Sequence, residues 1–363
     1  IMPANAKRPR MAVQVAAAAL SLVALGARAG AGAEEVPVPA WAGYVRALPP
    51  YVPQRQVSGT VRSWGHGFLK VMMHDWEEGF HRFQPQVRFQ DDLASSAAAM
   101  AGLYSRRANL GVLAREIVPM ETAAYRKVAG QDPFPVTVLT GSYGDPDKIM
   151  ALGVFVNKAN PLARLDFDQL DAIFGAEHLR GAHGNIRTWG QLGLTGAWKD
   201  RPIHPFSGPA NEAPAFYFSQ TVMGGSVLWN CALRQFDDVP LPGGRHIDGY
   251  QRVVDALAQD PDGIALTGAG YRNPNAKLLA IAVAPDGRYV DPTKANVADL
   301  DYPLARAVKF YINDGPKIRP NPAVIEFLRY ILSRDGQTQV LREGVFLPLT
   351  PQTVSAQLRK LHD

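Results

Sequence analysis

Short apolar runs of strand character alternate with longer amphipathic stretches along most of this chain of 363 residues. That alternation constrains the fold more than any other feature. Strand candidates are Thr60–Ser63, Val87–Phe89, Leu110–Leu113, Val136–Thr140, Leu152–Val156, Gly263–Thr267, Leu278–Val283 and Val308–Ile312. Between them, helical periodicity predicts helices over 68–83, 96–104, 166–174, 247–259 and 321–334. In the first of these, Leu69, Met72, Met73, Trp76, Phe80 and Phe83 share one apolar face. Asn321-Pro322 supplies an N-cap and a first-turn proline for the last. Strands interleaved with helices predict an α/β protein with mainly parallel sheets. No internal repeat is present.

The N-terminal 33 residues stand apart. Lys-Arg-Pro-Arg at 7–10 precedes the apolar run Met11–Leu25, and small residues follow from Gly26 to Ala33. A basic start, a 15-residue apolar core and an Ala-x-Ala exit predict a cleavable signal peptide. Cleavage is expected after Ala29 or, preferably, Ala33. The run is short for a transmembrane helix. Four of the 38 Lys and Arg lie in this segment and none of the 33 acids does. The remainder is thus close to neutral, which removes the case for a polyanion or nucleic-acid partner.

Cys231 is the only cysteine. It excludes an internal disulfide and a multi-Cys metal site, and it lies far from any cleavage site where a lipid anchor would need it. A buried, small apolar role is expected for it. These features predict a free periplasmic protein without a membrane anchor.

Several separated motifs carry a family resemblance. They are GVFVNKANPLARLDFDQLDAIF (153–174), IRTWGQLGLTGAWKDRPIH (186–204), YPLARAVKFYI (302–312), NPAVIEFLRYILSRDGQ (321–337) and GVFLPLT (344–350). Together they resemble the periplasmic phosphate-binding proteins of phosphate ABC transporters, from about Gly59 to Thr350. The resemblance implies a type II periplasmic-binding-protein fold. In it, two lobes of mixed, mainly parallel sheets flanked by helices close over a small ligand in an interlobe cleft. After an extended segment at 34–56, lobe 1 is expected to comprise 57–150 with about 286–363, and lobe 2 about 151–285. It also implies a phosphate-like ligand, an ABC permease as partner, a monomer and no cofactor.

In open α/β sheets, ligands sit where strands give way to helices. Three such loops stand out, and each enters an apparent helix N-terminus, which suits an anion. The first carries Trp64, Gly65, His66, Gly67 and Phe68; the second carries Ser95 and Ser96; the third carries Ser207, Gly208, Asn211 and Glu212. Arg115 completes the candidate ligand contacts, since a guanidinium grips an oxyanion through two parallel bonds. Each has a bland alternative. Arg115 can pair with Glu116 or Glu121, and Ser96 and Asn211 can cap helices. His66 can sit at a rim, Trp64 and Phe68 can be core, and Glu212 can be an ordinary first-turn acid.

Against the family pattern, the ligand loops depart in particular places. Where relatives carry Gly-Ser-Asp-Thr, this chain has Gly65-His66-Gly67-Phe68, so Gly67 stands in place of the proton-accepting Asp. The family Ser-Arg pair is Ala114-Arg115. The third loop has no Arg, gains Glu212 and includes Pro214, which lacks a backbone donor. The expected function is capture of phosphate or a related small oxyanion by lobe closure, with weakened phosphate affinity. The alternative is a scaffold repurposed for a zwitterionic or partly apolar ligand, or for sensing. His74, Glu78 and His81 share a helix face opposite the apolar stripe and are expected to be solvated rather than metal ligands. No nucleophile elbow, P-loop or HExxH pattern supports an enzyme.

Overall fold

In the computed structural model, residues 39–314 and 318–361 are described. The predicted signal peptide lies outside them. In chain order the first part comprises β1 (Gly59–Gly65), α1 (Lys70–His81), β2 (Val87–Asp92), α2 (Ser96–Tyr104), β3 (Leu110–Val112), α3 (Pro119–Ala129) and β4 (Phe134–Thr140). The second comprises β5 (Leu152–Asn157), β6 (Arg164–Asp166), α4 (Phe167–Phe174), β7 (His204–Ser207), α5 (Ala213–Thr221), β8 (Arg234–Gln235), β9 (Val239–Pro240), β10 (His246–Ile247), α6 (Gly249–Ala258), β11 (Gly263–Gly268), β12 (Ala276–Leu278), β13 (Ala280–Ala282) and α7 (Lys294–Ala298). The chain ends with β14 (Ala307–Ile312), α8 (Pro322–Ile331), α9 (Arg334–Glu343) and α10 (Pro351–Leu358).

Two five-stranded sheets organise two lobes. The first has the order β2-β1-β3-β14-β4 and the second β12-β5-β11-β7-β8. β1 runs parallel to β2 and β3, whereas β14 runs antiparallel to both its neighbours, β3 and β4. In the second sheet, β7 is parallel to β11 and β8, and β5 is antiparallel to β11 and β12. Parallel and antiparallel pairings are therefore balanced in each sheet, where mainly parallel pairing was expected. The returning strand β14 is the reason in the first sheet: it arrives from the other lobe and must enter against its neighbours.

Each lobe has its own apolar core. Trp76, Phe80 and Met72 from α1, with Phe310 and Phe327, belong to the first; Leu170, Phe174, Phe218 and Ile264 belong to the second. Trp76 is fully buried, and its indole N–H donates to Gly336 O at 3.0 Å, so the polar tip of a large core ring is satisfied. The crossings between cores are sharp. Ile149 packs in the first core and Met150 in the second; on the return, Leu304 belongs to the second core and Val308 to the first. Lys148 and Arg306 thus stand at the two crossings.

Candidate functional site

The wall of the first lobe is stitched together by backbone bonds. β1 and β3 approach so closely at Gly65 that a Cβ there would lie 1.8 Å from Val112 O. His66 N–H donates to that same carbonyl at 3.0 Å, and Ser95 N–H donates to Gly65 O at 2.7 Å. The first and second loops are held side by side as a result. Ser95 then caps α2, its Oγ accepting from Ala97 N–H at 3.2 Å. Ser96 Oγ is left to accept the Ala114 N–H at 3.0 Å, which ties the second loop to the segment bearing Arg115. Its hydroxyl proton stays available as a donor.

These loops line one cleft of about 560 Å³, within the size range of small-molecule sites. His66, Gly67, Phe68, Ser96 and Arg115 line it from the first lobe, Ala213 from the start of α5, and Lys148 and Arg306 from the crossings. His66 caps the short turn that leads into α1: its Nδ1 accepts the Phe68 N–H at 3.2 Å, which leaves Nε2 to carry the proton. Phe68 serves two purposes, since it is 7% exposed in the first core and also lines the cleft.

The charged groups are held in pairs. Arg115 meets Glu121 through both terminal nitrogens, Nη1 to Oε2 at 2.9 Å and Nη2 to Oε1 at 2.8 Å, and Nη1 also donates to Glu116 O at 2.9 Å. Hydrogen bonding to Glu121 raises the Arg115 pKa further. Arg306 is 1% exposed and meets Glu116 through Nε at 3.1 Å and Nη2 at 2.9 Å. Its guanidinium carbon lies 5.0 Å from the centre of the Tyr217 ring on α5. Lys148 donates to Phe68 O at 2.9 Å and lies 3.9 Å from Glu343. An Arg held by one edge of its fork keeps further donors for a second acceptor.

The third loop behaves differently from expectation. Ser207 and Gly208 lie in a separate crevice of about 10 Å³, against Pro214 and Tyr250, with room for about one water. Ser207 Oγ donates to the neighbouring Gly208 carbonyl at 2.7 Å. Glu212 accepts from the Tyr250 hydroxyl at 2.5 Å, and Asn211 is exposed and borders neither cavity. Burial and then the Glu212 bond push the Tyr250 pKa well up, so the phenol stays protonated and donating. Of this loop only Ala213, which was not expected, faces the main cleft. Trp64 is also displaced from it: it sits on β1 against α2, where a Cβ on Gly102 would come within 2.9 Å of its ring.

The sequence reading missed Arg306 and Lys148. The only signal for Arg306 was a basic residue inside the YPLARAVKFYI motif, immediately before a strand. Cys231 is exposed rather than buried, because it lies in the irregular stretch between α5 and β8. His74 and Glu78 face solvent as expected, with His74 Nε2 3.4 Å from a Glu78 oxygen, and among the described residues no group of His, Cys, Asp and Glu is arranged to hold a metal ion. No described helix is long and apolar enough to cross a membrane.

Two lobes around a cleft lined by Arg115, Lys148 and Arg306, with Asp147 the one acid among its lining residues, fit the class of solute-binding proteins of the periplasmic type, and the comparisons agree. The family model for the PBP superfamily domain matches residues 149–335, just over half of the chain. The phosphate-binding protein PstS of Pseudomonas aeruginosa is 31% identical over 315 residues, covering 87% of this chain and 91% of that protein. PstS from Borrelia burgdorferi superposes with a TM-score of 0.55 at 15% identity, covering 80% of this chain and 99% of the other. An ABC-type phosphate transport receptor from Vibrio cholerae gives 0.51 at 17% identity, covering 79% and 99%. The chain belongs to the PstS-like family of phosphate-binding proteins.

Proposed function

We propose that this protein captures phosphate or a related small oxyanion in the periplasm and delivers it to an ABC permease. On this reading it is exported through the segment 1–33, acts as an unanchored monomer and catalyses no reaction. Kinship with phosphate-binding proteins supports the ligand class and disfavours the repurposed-scaffold alternative. The observation that carries the reading is the donor-rich wall of the cleft, where Arg115, Ser96 and the positive end of α2 converge. Ligand contacts come from Arg115, Ser96 and the His66–Phe68 turn. Ser95, Ser207 and Glu212 are engaged in other hydrogen bonds, and Trp64, Gly65, Gly208 and Asn211 are not among the residues that line the cleft, so all seven fall outside the proposed ligand set. Lobe closure then follows from the ligand's tighter hold on the closed state.

Phosphate affinity is expected to be modest. Gly67 offers no carboxylate to accept a phosphate proton, and the third loop supplies no guanidinium. Each lost charge-assisted bond weakens binding by about tenfold or more. Calorimetry on the secreted, dialysed protein with inorganic phosphate and with sulfate tests this. Saturable binding in the micromolar range or weaker is the expected result. A submicromolar constant would show the affinity argument wrong, and absence of binding to both anions would remove the oxyanion reading.

A further inference from the structure

We propose that Arg306, at the return crossing between the lobes, is the second anion-gripping side chain of the cleft, in place of an arginine from the third loop. The inference rests on the oxyanion reading above. Three observations carry it. Arg306 is almost fully buried yet lines the cleft, so its unused donors have the cleft as their outlet. Glu116 takes only the Nε and Nη2 donors, and Nη1 makes no hydrogen bond to any described residue. Nη1 is not among the buried side-chain atoms left without a partner, so it opens onto the cleft, where an oxyanion against the Nη1–Nη2 edge gains charge-assisted bonds in place of water. The competing cation, Lys148, already donates to Phe68 O and faces Glu343.

The location matters as much as the charge. Glu116 belongs to the segment after β3 in the first lobe, and Tyr217 belongs to α5 in the second. Arg306 touches both, and the Tyr217 hydroxyl donates to the adjoining Ala305 O at 2.8 Å. An anion seated on this guanidinium is therefore held at the point about which the lobes move.

A purely structural role predicts that Arg306 serves only to neutralise Glu116. The double substitution Glu116→Gln with Arg306→Gln separates the two, because it leaves no buried charge unpaired. Inorganic phosphate is titrated by calorimetry into the full chain, its Arg306→Lys variant and the double variant, with melting followed in parallel with and without phosphate. The lysine keeps the charge but cannot hold Glu116 and present a flat edge at once. We expect both variants to lose about tenfold or more in affinity, and the phosphate-induced rise in melting temperature to shrink. Wild-type affinity in the double variant would overturn the assignment while leaving the oxyanion reading intact. A wild-type chain that binds neither phosphate nor sulfate would overturn both.

Discussion

Glu77 lies on α1 with Oε1 out of water and without a hydrogen-bond partner. Burial, and then the neighbouring Asp91 charge, push its pKa up to about 9. The folded state therefore holds a proton that the unfolded chain releases near the ordinary value of 4.5. Since the folded pKa is raised, the stability it contributes is complete below about pH 4.5 and is lost as pH rises through about 9. Melting temperatures measured across that window should fall with pH in the wild type and fall less in Glu77→Gln, whose side chain stays neutral. Parallel profiles would contradict the assignment. Residues of this kind are illegible in sequence, because Glu77 reads as one more polar position on an amphipathic helix. Arg115 was legible, since a cation after a strand end invites attention. Arg306 was not, since its burial depends on Glu116, 190 positions away.

Among the elements, α2 illustrates how two adjacent serines divide their tasks. Ser95 caps the helix, and Ser96 bonds the Ala114 amide and borders the cleft. Ser95→Ala should cost about 1 kcal/mol of stability by urea unfolding and leave phosphate affinity as it was; a loss of affinity would place Ser95 in the site after all. Sequence periodicity matched the bounds of α2 and came within two residues of those of α1. Periodicity reads 278–283 as one strand, whereas the ladder breaks at Leu279, so that β12 pairs with β5 and β13 with β6. α3 escaped notice because only Tyr125 and Ala129 are buried on it, too thin an apolar stripe to register as a period. α9 escaped because its face is mostly polar: Gly336, Gln337 and Gln339 are buried alongside Val340.

At the scale of the whole molecule, the two lobes were legible through family motifs rather than through any local pattern. What no window of sequence displays is that both crossings carry a cation into one cleft. Closure about those crossings should contract the molecule, so small-angle scattering with saturating phosphate is expected to give a smaller radius of gyration than without. An unchanged radius at saturation would exclude closure as the response to ligand.

The exposed Cys231 has a practical consequence for watching that movement. As the sole sulfhydryl, exposed in an irregular stretch and not among the residues that line the cleft, it accepts one maleimide dye at one known place without prior mutagenesis. The second lobe thus carries its own attachment point for fluorescence.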